Sequence, residues 1–155
     1  MIWRYRFLCL WLPLLTQCSS VDWYEVLASG ETGRIGAALD GGADINHACR
    51  TIHYEGSTLT LNPLHQAMCY YVGGPTGHEE KGVEIVRYLI SRGADVNARI
   101  PEDGRTPLHL AAGSLDGIAA PLLYATLLEV GADDSIRDAR GRTAADVMRE
   151  IESEP

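Results

Sequence analysis

The segment Gly93–Ala112, GADVNARIPEDGRTPLHLAA, constrains the fold of this chain more than any other stretch, because it recurs. Gly42-Ala43-Asp44-Ile45-Asn46 leads to Asn62-Pro63-Leu64-His65-Gln66-Ala67, and Gly131-Ala132-Asp133 leads to Gly141-Arg142-Thr143-Ala144-Ala145. Gly93 ends one helical pattern, Thr106-Pro107 starts another, and turn-forming residues fill the space between. About three copies in so short a chain describe a stacking unit, since one unit alone cannot bury its apolar face and its neighbours must.

The intervening residues read as helices. Asp22 is placed to cap a short helix over Trp23–Ser29, where the first backbone amides need an acceptor, and Gly30 ends it. Arg34–Leu39 makes a second helix with Ile35, Ala38 and Leu39 at helical spacing. Asn62 caps the next helix, with Pro63 at the first helical position, where a missing amide hydrogen costs nothing. Ile85, Val86, Leu89 and Ile90 form one apolar stripe, and Leu123, Tyr124, Leu127 and Leu128 another. Thr143–Met148 opens a last helix that runs into the polar tail Glu150–Pro155.

Thr106-Pro107-Leu108-His109-Leu110-Ala111, with Gly93-Ala94-Asp95-Val96-Asn97 before it, resembles the signature of ankyrin repeats. The resemblance implies an all-α solenoid of helix-turn-helix units with hairpin fingers. It implies about three to four repeats, near 21–46, 58–97, 101–135 and 138–152, within a single domain over 18–155. The first repeat lacks the Thr-Pro start, which suits an end unit with one face in water. In this family the motif histidine ties neighbouring turns together. His65 and His109 occupy its position, which implies a structural role for both and no active site.

Two departures from the regular period of about 33 residues mark insertions. His47–Leu61 carries about eight extra residues, and its Thr, Leu and Tyr content with Glu55-Gly56 suits a lengthened hairpin. Tyr71–Lys81 carries about ten and, being rich in Gly and Pro, reads as an irregular loop between two helices. Loops grafted on a rigid stack are where function usually sits, although surface loops also tolerate added length at small cost.

The N-terminus reads differently. Arg4 and Arg6 precede the apolar run Phe7–Leu15, too short for a bilayer, which takes roughly 20 residues. A charged start and a short apolar centre describe a secretory signal peptide over 1–17. Leu15-Thr16-Gln17-Cys18 resembles a bacterial lipobox, although Gln17 stands where a small residue is usual. This implies lipidation of Cys18 and a protein tethered in the periplasm, with Ser19 favouring the outer membrane. Cys49 and Cys69 are then the remaining thiols in an oxidising compartment. They can pair as a disulfide or stand apart as small buried hydrophobes.

The net charge of −8 argues against a nucleic-acid backbone as partner, which needs a basic face. His47, Cys49 and His53 crowd one loop, and His78-Glu79-Glu80 another, but neither has the spacing of a common metal site. No Ser-His-Asp constellation, phosphate loop or paired-carboxylate motif is present, so catalysis, cofactors and metals are not expected. The expected function is non-catalytic protein binding. By register with the family, the contacts are Thr58, Leu61, Cys69 and Tyr70, then Glu102, Asp103, Arg105 and Ser114, then Ala139, Arg140 and Arg142, with Tyr54 in the lengthened finger. An immunity protein that neutralises a periplasm-directed toxin or hydrolase is the sharpest version. An envelope-maintenance or oxidative-stress accessory is the alternative, and a thiol redox protein using Cys49 and Cys69 a third reading.

Overall fold

The structure is a computed structural model that describes residues 21–48, 50–54, 56–72, 78–113 and 120–153. Its described elements are α1 (Trp23–Ala28), α2 (Thr32–Asp40), β1 (Arg50–Tyr54), β2 (Ser57–Leu61), α3 (Pro63–Val72), α4 (His78–Ser91), α5 (Pro107–Ala112), α6 (Pro121–Glu129) and α7 (Ala144–Ser153). Helices α1, α3, α5 and α7 pack in succession as one row, and α2, α4 and α6 form a second row against them. Leu27, Leu64, Met68, Ile85, Leu89, Leu108, Leu123 and Leu127 are fully buried between the rows. The expected stripes are therefore real, except that Leu128 turns outward at 39% exposure.

Local chemistry sets each helix start. Asp22 accepts the amides of Tyr24 and Glu25, and Asn62 Oδ1 accepts the amide of His65 at 2.9 Å. At α5, Thr106 and His109 form a reciprocal cap, with Oγ1 and Nδ1 2.9 Å apart. At α7 an aspartate takes the histidine's place. Asp146 accepts from the Thr143 amide and hydroxyl at 2.9 and 2.8 Å, and its own amide donates back. This is a carboxylate capping box, in which two otherwise orphaned donors are satisfied reciprocally.

The histidines and asparagines of the repeated motif join one turn to the next. His65 Nε2 donates to Ala98 O at 3.1 Å and His109 Nε2 to Arg142 O at 3.0 Å, each across 33 residues. A carbonyl can only accept, so both rings carry their proton on Nε2. One level down, Asn46 Oδ1 accepts the Asp95 amide and Asn97 Oδ1 the Asp133 amide, both at 2.8 Å. The structural role expected of His65 and His109 is what the geometry shows. Asp146 takes that position in α7, the last described helix.

The first insertion is the lengthened hairpin expected, and the second differs in part from expectation. The first is a two-stranded antiparallel sheet, Arg50 opposite Leu61 and Tyr54 opposite Ser57, so the fold is mostly helical with one small sheet rather than purely α. In the second, the described residues are helical: α3 runs through Val72 and α4 begins at His78. Residues 73–77 lie outside the described set. Helix propagation wins here because Tyr71 and Val72 are buried. The Tyr71 hydroxyl also donates to Leu27 O at 2.7 Å, fastening α3 to α1. Burial raises the Tyr71 pKa to about 12.

Candidate functional site

The hairpin is held from three sides, and that makes its outer surface a fixed one. Strand β2 alternates in and out, as a half-buried strand must. Leu59 and Leu61 point inward at 3% and 2% exposure, while Thr58 stays exposed. Leu61 is therefore core and not a contact residue, because the pleat turns it to the same side as Leu59. Glu102, on the following turn, accepts from the Thr60 hydroxyl and amide at 2.6 and 3.0 Å. Burial pushes the Glu102 pKa up, but the two bonds from Thr60 outweigh it and the carboxyl lies below its usual value.

On the other side, Arg50 of β1 lies over the Tyr24 ring, 4.4 Å from its centroid, with Asp22 at 3.9 Å. Tyr24 meets Tyr70 edge to face at 5.9 Å, and Tyr70 meets Tyr71 at 4.9 Å. Offset and edge geometries are the favoured ones for aromatic pairs. Tyr70 is half-buried and Tyr24 exposed, so this chain of rings forms a partly apolar shelf beside the hairpin. Cys69 is half-buried on the same helix.

The sequence did not single out Tyr24 or Arg50. The signal for Tyr24 was available: a helix capped at Asp22 that buries Trp23 and Leu27 must turn Tyr24 outward. For Arg50 no local pattern exists, since its partner lies in α1.

The second group of expected contacts divides. Asp103 and Arg105 pair with each other at 2.6 Å and are mostly covered. Arg142 is bound by Asp138 at 2.8 Å and Glu150 at 2.7 Å. Burial raises the Asp138 pKa, but the bonds from Arg142 and Arg140 reverse this and leave it low. These arginines shape their turns. Arg140 and Ala139 are exposed, and the Ala139 amide donates to Asp103 O at 2.8 Å, linking adjacent turns. Thr58, Tyr70 and Glu102 thus gather at the hairpin, and Asp103, Arg105, Arg140 and Arg142 at the later turns. Cys18, Cys49, Ser114, the signal peptide 1–17 and the side chain of Tyr54 lie outside what is described, and so does any pairing of Cys49 with Cys69.

His78-Glu79-Glu80, weighed as a metal cluster, has a different use. Glu79 Oε1 accepts the amides of Leu122 and Leu123 at 2.8 and 3.3 Å, capping α6 from a neighbouring helix. Such a carboxylate satisfies orphan donors and complements the helix dipole.

A row of short helices joined by asparagine and histidine bridges, with a hairpin projecting from it, defines a helical repeat stack. Residues 78–123 match the family described as ankyrin repeats in many copies. The chain is 46% identical over 43 residues to the NF-kappa-B inhibitor cactus of Drosophila melanogaster, covering 28% of this chain and 8% of that protein. It is 36% identical over 81 residues to the BTB/POZ domain and ankyrin repeat-containing protein NOOT1 of Medicago truncatula, covering 52% and 16%. It is also 36% identical over 99 residues to the Neurogenic locus Notch protein of Drosophila melanogaster, covering 57% and 4%. The chain thus spans only a small part of the relatives it matches. Ankyrin repeats are in general non-catalytic interaction modules, and proteins are the partners they imply.

Proposed function

We propose that this chain is an exported ankyrin-repeat lipoprotein that binds a protein partner and neutralises it, as an immunity protein against a periplasm-directed toxin or hydrolase. The observation that carries the binding part is the immobilised hairpin with its aromatic shelf. Tyr24, Arg50, Tyr70 and Thr58 are held by the fold before any partner arrives. Pre-organisation lowers the ordering cost of association, and Tyr and Arg are the residues most often found at energetic hot spots. Inhibition by occupancy needs no catalytic group, and one relative is itself named as an inhibitor.

The organisation that accompanies this reading is a signal peptide over 1–17, lipidation at Cys18, and one domain of three to four repeats over 18–155. The location is the periplasm, with tethering to the outer membrane through the lipid and no other membrane contact. Palmitate labelling of the full chain beside Cys18→Ala tests the anchor, and an unlabelled wild-type chain overturns it.

The test of function is affinity capture from envelope and secreted-protein extracts, followed by assay of the captured protein on mixing. A stoichiometric toxic hydrolase that loses activity supports the immunity role. A resident envelope enzyme that stays active supports the accessory role instead.

A further inference from the structure

The outer edge of β2 is capped at Thr60 by Glu102, whereas no strand lies beside β1 among the described residues, and the hydrogen-bond parity of the strands identifies which groups the β1 edge presents. In an antiparallel pair, residues opposite each other alternate between exchanging both backbone bonds and exchanging none. The Thr60 amide is used outside the ladder, donating to Glu102 at 3.0 Å. Thr60 and its partner Thr51 are therefore a non-bonded pair, as are Thr58 and His53 two residues on. The backbone groups of Thr60 point towards the following turn, where Glu102 meets the amide. Those of Thr51 and His53 point away on the far edge of β1. Among the described residues no other strand lies there, and both side chains are exposed.

Natural sheets guard such an edge with proline, charged side chains, a bulge or a covering element. β1 reads Arg50-Thr51-Ile52-His53-Tyr54, with no proline, an unbroken one-to-one register, and its one charged residue, Arg50, turned onto Tyr24 and Asp22. Its position is fixed as well, because Arg50 is seated on Tyr24 and β2 is anchored in the core.

We infer that β1 is a strand-addition site, at which an extended, net-positive segment of the protein partner pairs with the backbone of Thr51 and His53. This rests on the protein-binding reading above and specifies the partner's chemistry. A carboxylate can meet one such amide, as Glu102 does at Thr60, but an extended backbone meets the amides and carbonyls of both residues at the strand spacing, whereas a helix has already spent its own internally. The chain's net charge of −8 favours a basic segment and disfavours a second copy of itself.

The test uses the full chain and a displayed library of random 12-residue peptides as probe. Selected peptides are measured against wild type, Thr51→Ala and Thr51→Pro. Proline removes the outward amide without touching the β1–β2 ladder, whereas alanine removes only the side chain. The expected result is a net-positive peptide bound within about threefold by wild type and Thr51→Ala, and at least tenfold more weakly by Thr51→Pro. Hydrogen exchange on the wild-type complex needs no variant and guards against a misfolded Thr51→Pro. The amides of Thr51 and His53 should slow at least tenfold on binding.

Peptides that leave those amides unprotected and lose affinity with Tyr24→Ala or Tyr70→Ala would overturn the edge assignment while preserving the binding module. Failure to select any peptide also overturns it, and leaves the capture experiment to judge the module. Protection of Thr51 and His53 that grows with protein concentration in the chain alone assigns the edge to a second copy and overturns the partner assignment.

Discussion

His65 and His109 do the same work with different support. His109 Nδ1 faces the Thr106 hydroxyl, whereas at His65 the capping residue is Asn62, whose oxygen is occupied by a backbone amide. His65 Nδ1 is left buried with no partner among the described residues. An unmet buried acceptor costs about 1–3 kcal/mol. Asn62→Thr restores the motif and supplies a hydroxyl to Nδ1 while keeping an oxygen for the His65 amide. It should raise stability by about 1 kcal/mol in urea unfolding. Unchanged or lower stability would show that the vacancy is met some other way.

Burial also lowers the His65 pKa to about 4. Between that value and the unfolded value of about 6.5 the unfolded chain binds the extra proton. Stability from this group is therefore present above about pH 6.5 and lost as pH falls through about 4, by up to about 3 kcal/mol. Urea midpoints measured from pH 7.5 to 4 should fall in wild type and fall less in His65→Gln. Parallel curves for the two would remove His65 as the cause.

At the scale of the element, much of what the sequence left open was written in a pattern other than the one followed. Register with the family puts Leu61 among the contacts because it counts from the Thr-Pro start and takes no account of the inserted strand. The alternation Thr58-Leu59-Thr60-Leu61 carries the correct assignment, since a pleated strand sends Leu59 and Leu61 to one side. Leu61→Ala should therefore cost about 2–4 kcal/mol of stability, as a core truncation does. A change under 1 kcal/mol with weakened partner binding would return Leu61 to the contact surface.

In the second insertion the glycines and proline suggest a loop, yet Glu79 and Glu80 sit in the first turn of α4, where acidic residues favour a helix start. The link from Glu102 to Thr60 joins residues 42 apart and had no sequence signal at all. Glu102→Ala should release the edge of β2. The Thr60 amide should then exchange at least tenfold faster by hydrogen-exchange measurement, with a loss of about 1–2 kcal/mol. An unaltered Thr60 amide would mean that Leu59 and Leu61 hold the hairpin without it.

For the whole molecule, the repeated motif made the stack legible because each bridge is built from residues inside it: Asn46 to Asp95, Asn97 to Asp133, His65 to Ala98, His109 to Arg142. How tightly the rows approach was not legible, because that depends on which glycine faces which side chain. Gly82 of α4 lies against α3, where an added methyl would come within 2.7 Å of Tyr71 Cβ and 3.0 Å of Cγ. Those atoms are the root of a buried ring that is tied to Leu27, so only a shift of the helices could relieve the contact. Gly113 faces α7, and there the nearest atom is the tip of Ile151, which can turn aside at the end of the stack. In a linear array each unit depends on its neighbours, so the same substitution differs by position. Gly82→Ala should lower the stability of the entire transition by about 1–3 kcal/mol. Gly113→Ala should cost less and act through α7, with the amides of Val147 to Ile151 losing protection before those of α3. Hydrogen exchange followed residue by residue in the two variants separates these outcomes. Equal loss of protection along the whole chain in both would mean that the stack unfolds as one unit from either end.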